Sequence, residues 1–590
     1  MLRMNSERCE LRIMKRIAQS RWLFWGWFAL SSLVYCWLLL GPFGYHFRNL
    51  TIRVAMLSVL VAISVLLLRK TWDGYRFWNS VFVSMIGYAV IYKIATFLPG
   101  INTYPFTLTW SEGTAYYFAS AYFSEQLYGV KVDLPLINPS RHLLMAIPFV
   151  VQGLPIWVHR AWEVALWLLI TLSAVYLFVR RLAITSQLLR RAFFGWVFLY
   201  FFQGPIYYFL LVSIIPVLWG FDSKKFSRTL LLVLIGSAWA GASRVNWIPV
   251  PALLAVTFYF LEVNVDKQHW LRYLVRPLIW FTAGVGAGLL AWFGYAQLSG
   301  KPVGNFGVYF TSNLLWYRLL PNATYPGGVF LMSLVASLPL IGIIVIHLYR
   351  SGFNYHLVRR LGIASLLLVF YTGGLIVSTK IGGGNNIHNL DAFLLILAVS
   401  GSYLYFGKSV PDFNFSERDS LNKLVNILII IVVIIPVIFT LQGGRPINLP
   451  TKTRTDNALK TIQEFADQSA SEGGKVLFIA ERHLLTFGEI QNIPLLPEYE
   501  RMDLMEMVMG GNEEYLAEFR QNIENQEYAL IISEPLVARY KGRSAQFGDE
   551  NDVYVRQVTE VVLCYYEPVK RITKFPIQLL MPRAEETICS

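Results

Sequence analysis

Thirteen apolar stretches organise this chain, at 22–42, 51–68, 77–97, 156–179, 192–204, 206–220, 229–243, 247–262, 277–298, 327–349, 361–379, 390–406 and 423–441. A helix needs about 20 apolar residues to cross a bilayer, and in lipid the helix satisfies its own backbone polar groups. A polytopic α-helical membrane body of about thirteen spans is the fold that such a series predicts. Charged residues make up 15% of the chain, against about 25% in soluble domains. That excludes a disordered chain, a collagen-like fibre and an ordinary cytosolic enzyme. The 18 Trp, 32 Tyr and 40 Phe residues fit aromatic belts at two interfaces. The pair 192–204 and 206–220, broken by Gln203-Gly204-Pro205, reads either as a hairpin of short helices or as one interrupted re-entrant unit.

Charge divides the chain at residue 441. Residues 1–441 hold 35 basic and 14 acidic side chains, and residues 442–590 hold 16 and 23. A basic apolar body therefore precedes an acidic, water-soluble domain, and the basic balance gives no reason to invoke nucleic acid. With the N-terminus inside, the segments assigned to the cytoplasm carry 25 of the body's basic residues and the outer ones ten, the positive-inside pattern. The first span follows a basic leader and lacks a small-residue cleavage site, so it is not read as a removable signal. An odd span count then places 442–590 outside. The domains expected are 1–76, a cytoplasmic leader with two spans; 77–441, the main membrane domain with outer loops 98–155, 299–326 and 380–389; and 442–590, an extracytoplasmic α/β domain.

In that last domain, Leu459, Ile462, Phe465 and Ala466 recur at helical spacing, which predicts a helix over 456–468. Runs 475–480 and 528–533 read as buried strands flanking a helix at 512–524, and 566–583 reads as a hairpin around Thr573-Lys574. No GxGxxG, P-loop or DxD supports a nucleotide site. The four cysteines, Cys9, Cys36, Cys564 and Cys589, form no CxxC pair. Free thiols are the expectation for Cys564 and Cys589, with a disulfide between them as the alternative.

Charges at the edge of a membrane body are costly and usually have a partner or a function. On the outer side the carboxylates are Glu112, Glu125, Asp133, Glu163 and Asp391, and the cations include Arg141, Arg160, Arg244, Arg318 and Lys380. Asn, Tyr and Trp are dense around them, as in Ser243-Arg244-Val245-Asn246-Trp247 and in Gly382-Gly383-Gly384-Asn385-Asn386-Ile387-His388-Asn389-Leu390-Asp391. Amides bond hydroxyls, aromatic faces stack on sugar rings and cations hold phosphate. The loop 98–155 is expected to carry helices at 111–128, capped by Ser111 and ended by Gly129, and at 141–152, both lying in the interface plane.

The segment Trp110-Ser111-Glu112-Gly113-Thr114-Ala115-Tyr116-Tyr117 in the first large outer loop resembles the acidic motif of the GT-C membrane glycosyltransferases. The tract from Arg141 to Arg181, the Ser243–Pro249 turn and the Gly-Gly-Gly-Asn-Asn-Ile-His-Asn segment are similar in layout to bacterial members, those that transfer mannose or aminoarabinose. The resemblance spans roughly 77–441. Here a single Glu replaces the common Asp-Glu pair, and two extra spans precede the acidic loop. What it implies is an enzyme of a bacterial inner (plasma) membrane. Such an enzyme moves a hexose or pentose from a polyprenyl-phosphate carrier to an extracytoplasmic glycan, lipid or protein. Glu112 would be the general base, or would position a divalent cation such as Mg or Mn. Lys380, Arg244 and Arg160 would hold the donor phosphate, with Gly382–Gly384 offering backbone N–H groups. Asn246, Trp247, Asn385, Asn386, His388, Asn389 and Asp391 would bind sugar or acceptor.

Plainer roles compete with these. Glu112 also suits a helix N-terminus, Lys380 a snorkelling span end, Arg244 a helix cap and His388 a solvated loop. Arg160 and Glu163 are spaced to pair with each other. At the level of the whole chain the rival functions are a transporter or flippase of lipid-linked saccharide and a non-catalytic anchor.

Overall fold

The computed structural model describes residues 2–72, 76–265, 269–350, 356–383, 386–406 and 420–584. Each apolar stretch forms a helix among these residues, but the helices are of two kinds. Nine helices have the length and apolar composition of a bilayer crossing. The other four, Gln187–Phe201, Tyr208–Gly220, Phe226–Gly241 and Asp391–Tyr405, have only 13 to 16 residues. At 1.5 Å per residue they fall short of a hydrocarbon core about 30 Å thick. Of the thirteen stretches, nine are thus of span length and four are shorter. Of the short ones, Asp391–Tyr405 lies centrally. Asp391–Tyr405 is buried from Asp391 to Leu404, as is the neighbouring Val250–Glu262 from Val250 to Leu261. Helices with apolar residues on all sides belong in such a core. Gln187–Phe201 and Tyr208–Gly220 are separate helices joined through Gly204 at φ +109°.

The two N-terminal helices, Leu2–Leu40 and Leu50–Thr71, pack against Phe77–Ala95 and Ser420–Gln442. Arg53 is 2% exposed and donates to the carbonyls of Phe47, Leu441, Gly443 and Gly444. The cation thereby satisfies carbonyls that a helix C-terminus leaves open and fixes the path from the last membrane helix into the C-terminal domain.

That domain is built on a four-stranded sheet of β1 (Lys475–Phe478), β2 (Tyr528–Ser533), β3 (Tyr566–Ile572) and β4 (Ile577–Pro582), in the order β1-β2-β4-β3. β1 and β2 are parallel, with Val476 beside Leu530, and the other pairs are antiparallel. Alternation sets the two faces. Val476, Phe478, Leu530 and Ile532 pack on Ala458, Ile462 and Ala466 of the Lys452–Ser471 helix. Leu477 and Ile531 pack on Leu516, Phe519 and Ile523 of Glu513–Glu524. Cys564 is disulfide-bonded, which corrects the expectation of a free thiol there; Cys589 lies outside the described residues.

The domain seats on the loops 98–155 and 299–326. Thr114 Oγ1 donates to Glu500 Oε1 at 2.6 Å, and His483 Nε2 to the Pro105 carbonyl at 2.8 Å. Asn512 Nδ2 donates to Asn305 Oδ1 at 2.9 Å, and ion pairs join Lys301 to Asp503 and Arg318 to Glu550. This docking changes the first loop. Its helix runs Glu112–Ser120 and is buried from Gly113 to Ser120, so it is an internal element rather than one lying in the membrane interface. Ser111 makes no side-chain cap, whereas Gly129 ends the following turn at φ +70° as expected. The second predicted helix is the short Pro139–Met145 followed by a 3-10 turn at Ile147–Val150.

Candidate functional site

A cavity of ≈ 570 Å³ lies between one end of the membrane helices and the C-terminal domain. Its polar wall comes from three short segments. The Ser243–Asn246 turn supplies Arg244 and Asn246; the stretch after Leu357–Ser378 supplies Lys380, Gly382 and Gly383; and His388 and Asn389 lead into Asp391–Tyr405. The turn can come this close because Phe226–Gly241 and Trp270–Leu298 meet at glycines: a Cβ on Gly241 would stand 2.0 Å from the Gly288 carbonyl oxygen. The C-terminal domain adds Glu506, which among the described lining residues is the one carboxylate. Trp292, Phe306, Phe310, Leu314 and Ile376 form the apolar wall, and Phe310, Leu314 and Ile376 remain exposed.

Arg244 Nη2 donates to Asn389 Oδ1 at 3.2 Å, and its guanidinium lies 5.3 Å from the Trp247 ring centroid and 5.9 Å from that of Tyr207. Asn389 Nδ2 in turn donates to the Gly383 carbonyl at 3.0 Å. Lys380 Nζ stands 3.4 Å from Glu506 Oε2. His388 bonds Asn386 Oδ1 and meets the Tyr207 ring edge-on. Burial, helped by the nearby Arg244 charge, pushes its pKa down to about 3, so it is a neutral ring at physiological pH. Trp247 and Asp391 are fully buried behind the wall. Asp391 accepts the Ala392 N–H at 2.7 Å and faces the Arg244 charge.

Of the residues singled out from sequence, the cavity therefore brings together Arg244, Asn246, Lys380, His388 and Asn389, with Trp247 and Asp391 behind them. Asn386 is exposed beside His388, while Gly384 and Asn385 lie outside the described residues. The glycine N–H groups are already engaged: Gly382 N–H donates to Glu550 Oε1 at 3.0 Å and Gly383 N–H to the Lys380 carbonyl at 2.8 Å.

Glu112 and Arg160 do not line this cavity. They bind each other, with Arg160 Nε 2.8 Å from Glu112 Oε1. Glu112 Oε2 accepts the Leu108 N–H at 2.6 Å, and Arg160 also donates to the carbonyls of Asn102, Tyr104 and Phe106. The pair is a buried clamp on the first outer loop. Glu163 does not pair with Arg160 but with Arg141, at 2.9 Å. Sequence reasoning missed Glu506. It lies within an ordinary helix, Arg501–Gly510, and nothing local marks it; only the docking of the domain gives it a place in the cavity. Among the described residues no three His, Cys, Asp or Glu side chains gather as a metal site.

No protein-family model matches the chain, and no curated protein matches it in sequence. Among solved structures it is similar to the crystal structure of ArnT from Cupriavidus metallidurans bound to undecaprenyl phosphate, at 12% identity and a TM-score of 0.40. The match covers 86% of this chain and 99% of that one.

Proposed function

We propose that this chain is a GT-C-like membrane glycosyltransferase that moves a sugar from a polyprenyl-phosphate carrier to a hydroxyl on an acceptor outside the cytoplasm. The observation that carries this reading is the make-up of one cavity. It combines two cations, carboxamides, a carboxylate and aromatic rings with an exposed apolar rim at the membrane boundary. A sugar joined through phosphate to a lipid needs all of these at once. The positive-inside charge pattern supports a cavity outside the cytoplasm, and the disulfide at Cys564 suits an oxidising compartment. Since the cavity sits at one end of the helix body, the reading favours transfer over flipping.

The chemistry follows from the lining. The acceptor oxygen attacks the anomeric carbon and forms the new glycosidic bond. The bond from that carbon to the phosphate oxygen breaks, and its electron pair leaves with the polyprenyl phosphate. Arg244 and Lys380 stabilise the charge that grows on the phosphate. Asn246 and Asn389 orient sugar hydroxyls. The acceptor proton goes to Glu506, which takes the place sequence reasoning gave to Glu112. Asn389 holds Arg244 through its side-chain oxygen.

Binding and chemistry are tested apart. The full chain in lipid nanodiscs is expected to bind undecaprenyl phosphate. Arg244→Ala and Lys380→Ala are each expected to weaken it by about 10- to 100-fold, the worth of a charge-assisted hydrogen bond. Glu506→Gln is expected to keep that binding and to lower transfer from a labelled lipid-linked sugar by about 10²- to 10⁴-fold, the range of general-base catalysis. Undecaprenyl phosphate binding that ignores both cation substitutions would remove the proposal.

A further inference from the structure

A second hollow, of ≈ 710 Å³, lies between Trp110 of the first outer loop and the C-terminal domain. It opens at the carboxyl ends of the two parallel strands. Ile479 and Ala480 follow β1 directly, and Ser533 to Val537 lead out of β2; all of them line it. The carboxyl ends of parallel strands are where open α/β sheets take ligands, because the chain diverges there and leaves a crevice.

Its walls are chemically specific. Trp110 keeps 44% of its surface exposed, while the Arg501 guanidinium stacks 4.7 Å from its ring centroid. Arg501 is 5% exposed and donates from Nη1 to Glu534 Oε1 at 2.6 Å, yet its buried Nε has no hydrogen-bond partner. The two lining carboxylates are committed, Glu534 to Arg501 and Glu550 to Arg318. Arg539 and Lys541 are exposed lining residues whose side chains make no ion pair among the described residues. The uncompensated charge of the hollow is therefore positive, beside an aromatic platform.

The hollow also shares a wall with the first cavity. Glu550 lines it and accepts the N–H of Gly382, which lines the other. A Cβ on Gly382 would lie 3.7 Å from Met509 Cγ, and Met509 lines the second hollow.

From this geometry we infer that the second hollow is an acceptor subsite for a glycan carrying phosphate or carboxylate groups. Its ring stacks on Trp110, its anionic groups meet Arg539 and Lys541, and its reactive end is directed at the shared wall. The inference rests on the transfer reading above.

The test is equilibrium binding of three probes to the full chain in nanodiscs: trigalacturonate, a phosphorylated mannotriose and neutral mannotriose. The two anionic probes are expected to bind at least tenfold more tightly than the neutral one, with affinity falling as salt rises. The double substitution Arg539→Ala with Lys541→Ala, at exposed positions, is expected to abolish that preference. Trp110→Ala is expected to weaken all three probes. Equal binding of charged and neutral trisaccharides, or a preference that survives the double substitution, would overturn the inference. Undecaprenyl phosphate binding is measured on the same preparations. If it is absent while the trisaccharides behave as expected, the transfer reading and the acceptor role fall together and only a glycan-binding site is left. If it is present while the trisaccharides do not bind, the subsite alone falls.

Discussion

Replacing Arg160 by alanine separates a structural from a chemical role for Glu112. The Arg160 side chain is 3% exposed and that of Glu112 is 11%. One guanidinium closes the loop by gathering the carbonyls of Asn102, Tyr104 and Phe106 around the Glu112 carboxylate. Alanine leaves that carboxylate buried without its cation and three carbonyls without their donor. Breaking a buried pair from one side costs about 3–5 kcal/mol. At 1.4 kcal/mol per tenfold, this predicts that amide exchange protection over residues 102–112 falls by roughly 100- to 4,000-fold. Hydrogen-exchange mass spectrometry on the full chain in nanodiscs reads it directly, and the Leu108 amide, bonded to Glu112 at 2.6 Å, is an internal reporter. Glu112→Gln keeps the shape and loses the charge, so its cost is smaller, about 1–3 kcal/mol, and transfer should fall only as far as the loop opens. A Glu112→Gln protein with unchanged protection over 102–112 and no transfer would refute the clamp and return Glu112 to the chemistry.

Two further outcomes follow from the docking of the C-terminal domain. Gly113→Ala places a Cβ 2.4 Å from His483 Nδ1 and 2.7 Å from Thr107 Cγ2. Such overpacking costs about 1–3 kcal/mol and is expected to speed amide exchange over 481–490; unchanged exchange there would contradict the close approach. The docking should also weaken in acid. Burial holds the pKa of His483, and that of His142, below the ordinary 6.5. The folded state keeps both rings neutral while the unfolded chain takes up protons below that value, so stability is full above pH 6.5 and declines as the pH falls. Thermal unfolding at pH 7.5 and pH 5 measures this. His483→Gln, whose amide still donates to the Pro105 carbonyl, is expected to shrink the difference.

What the chain revealed by itself was periodic. Long apolar runs marked the membrane helices, and the short apolar runs 475–480 and 528–533 marked strands that the structure places at Lys475–Phe478 and Tyr528–Ser533. What it concealed was pairing across distance. Helical spacing suggested Arg160 with Glu163, but each found a partner on another element, Glu112 and Arg141. The first-loop helix looked amphipathic and surface-bound, yet a domain more than 300 residues downstream covers it, as the Thr114–Glu500 bond records. The cations of the cavity were legible because charge is rare near lipid. Its carboxylate was not, because acidic residues are common in a soluble domain and only tertiary contact distinguishes one from another.

That Glu506 comes from the C-terminal domain has a consequence for biosynthesis. In the proposed reaction Arg244 and Lys380 are synthesised before Glu506, so a nascent chain owns the cations before the group proposed to accept the acceptor's proton. If the proposed reaction holds, ribosomes that stall within 442–505 would release proteins that bind carrier lipid without turning it over. Competence for that reaction would then wait on the C-terminal domain.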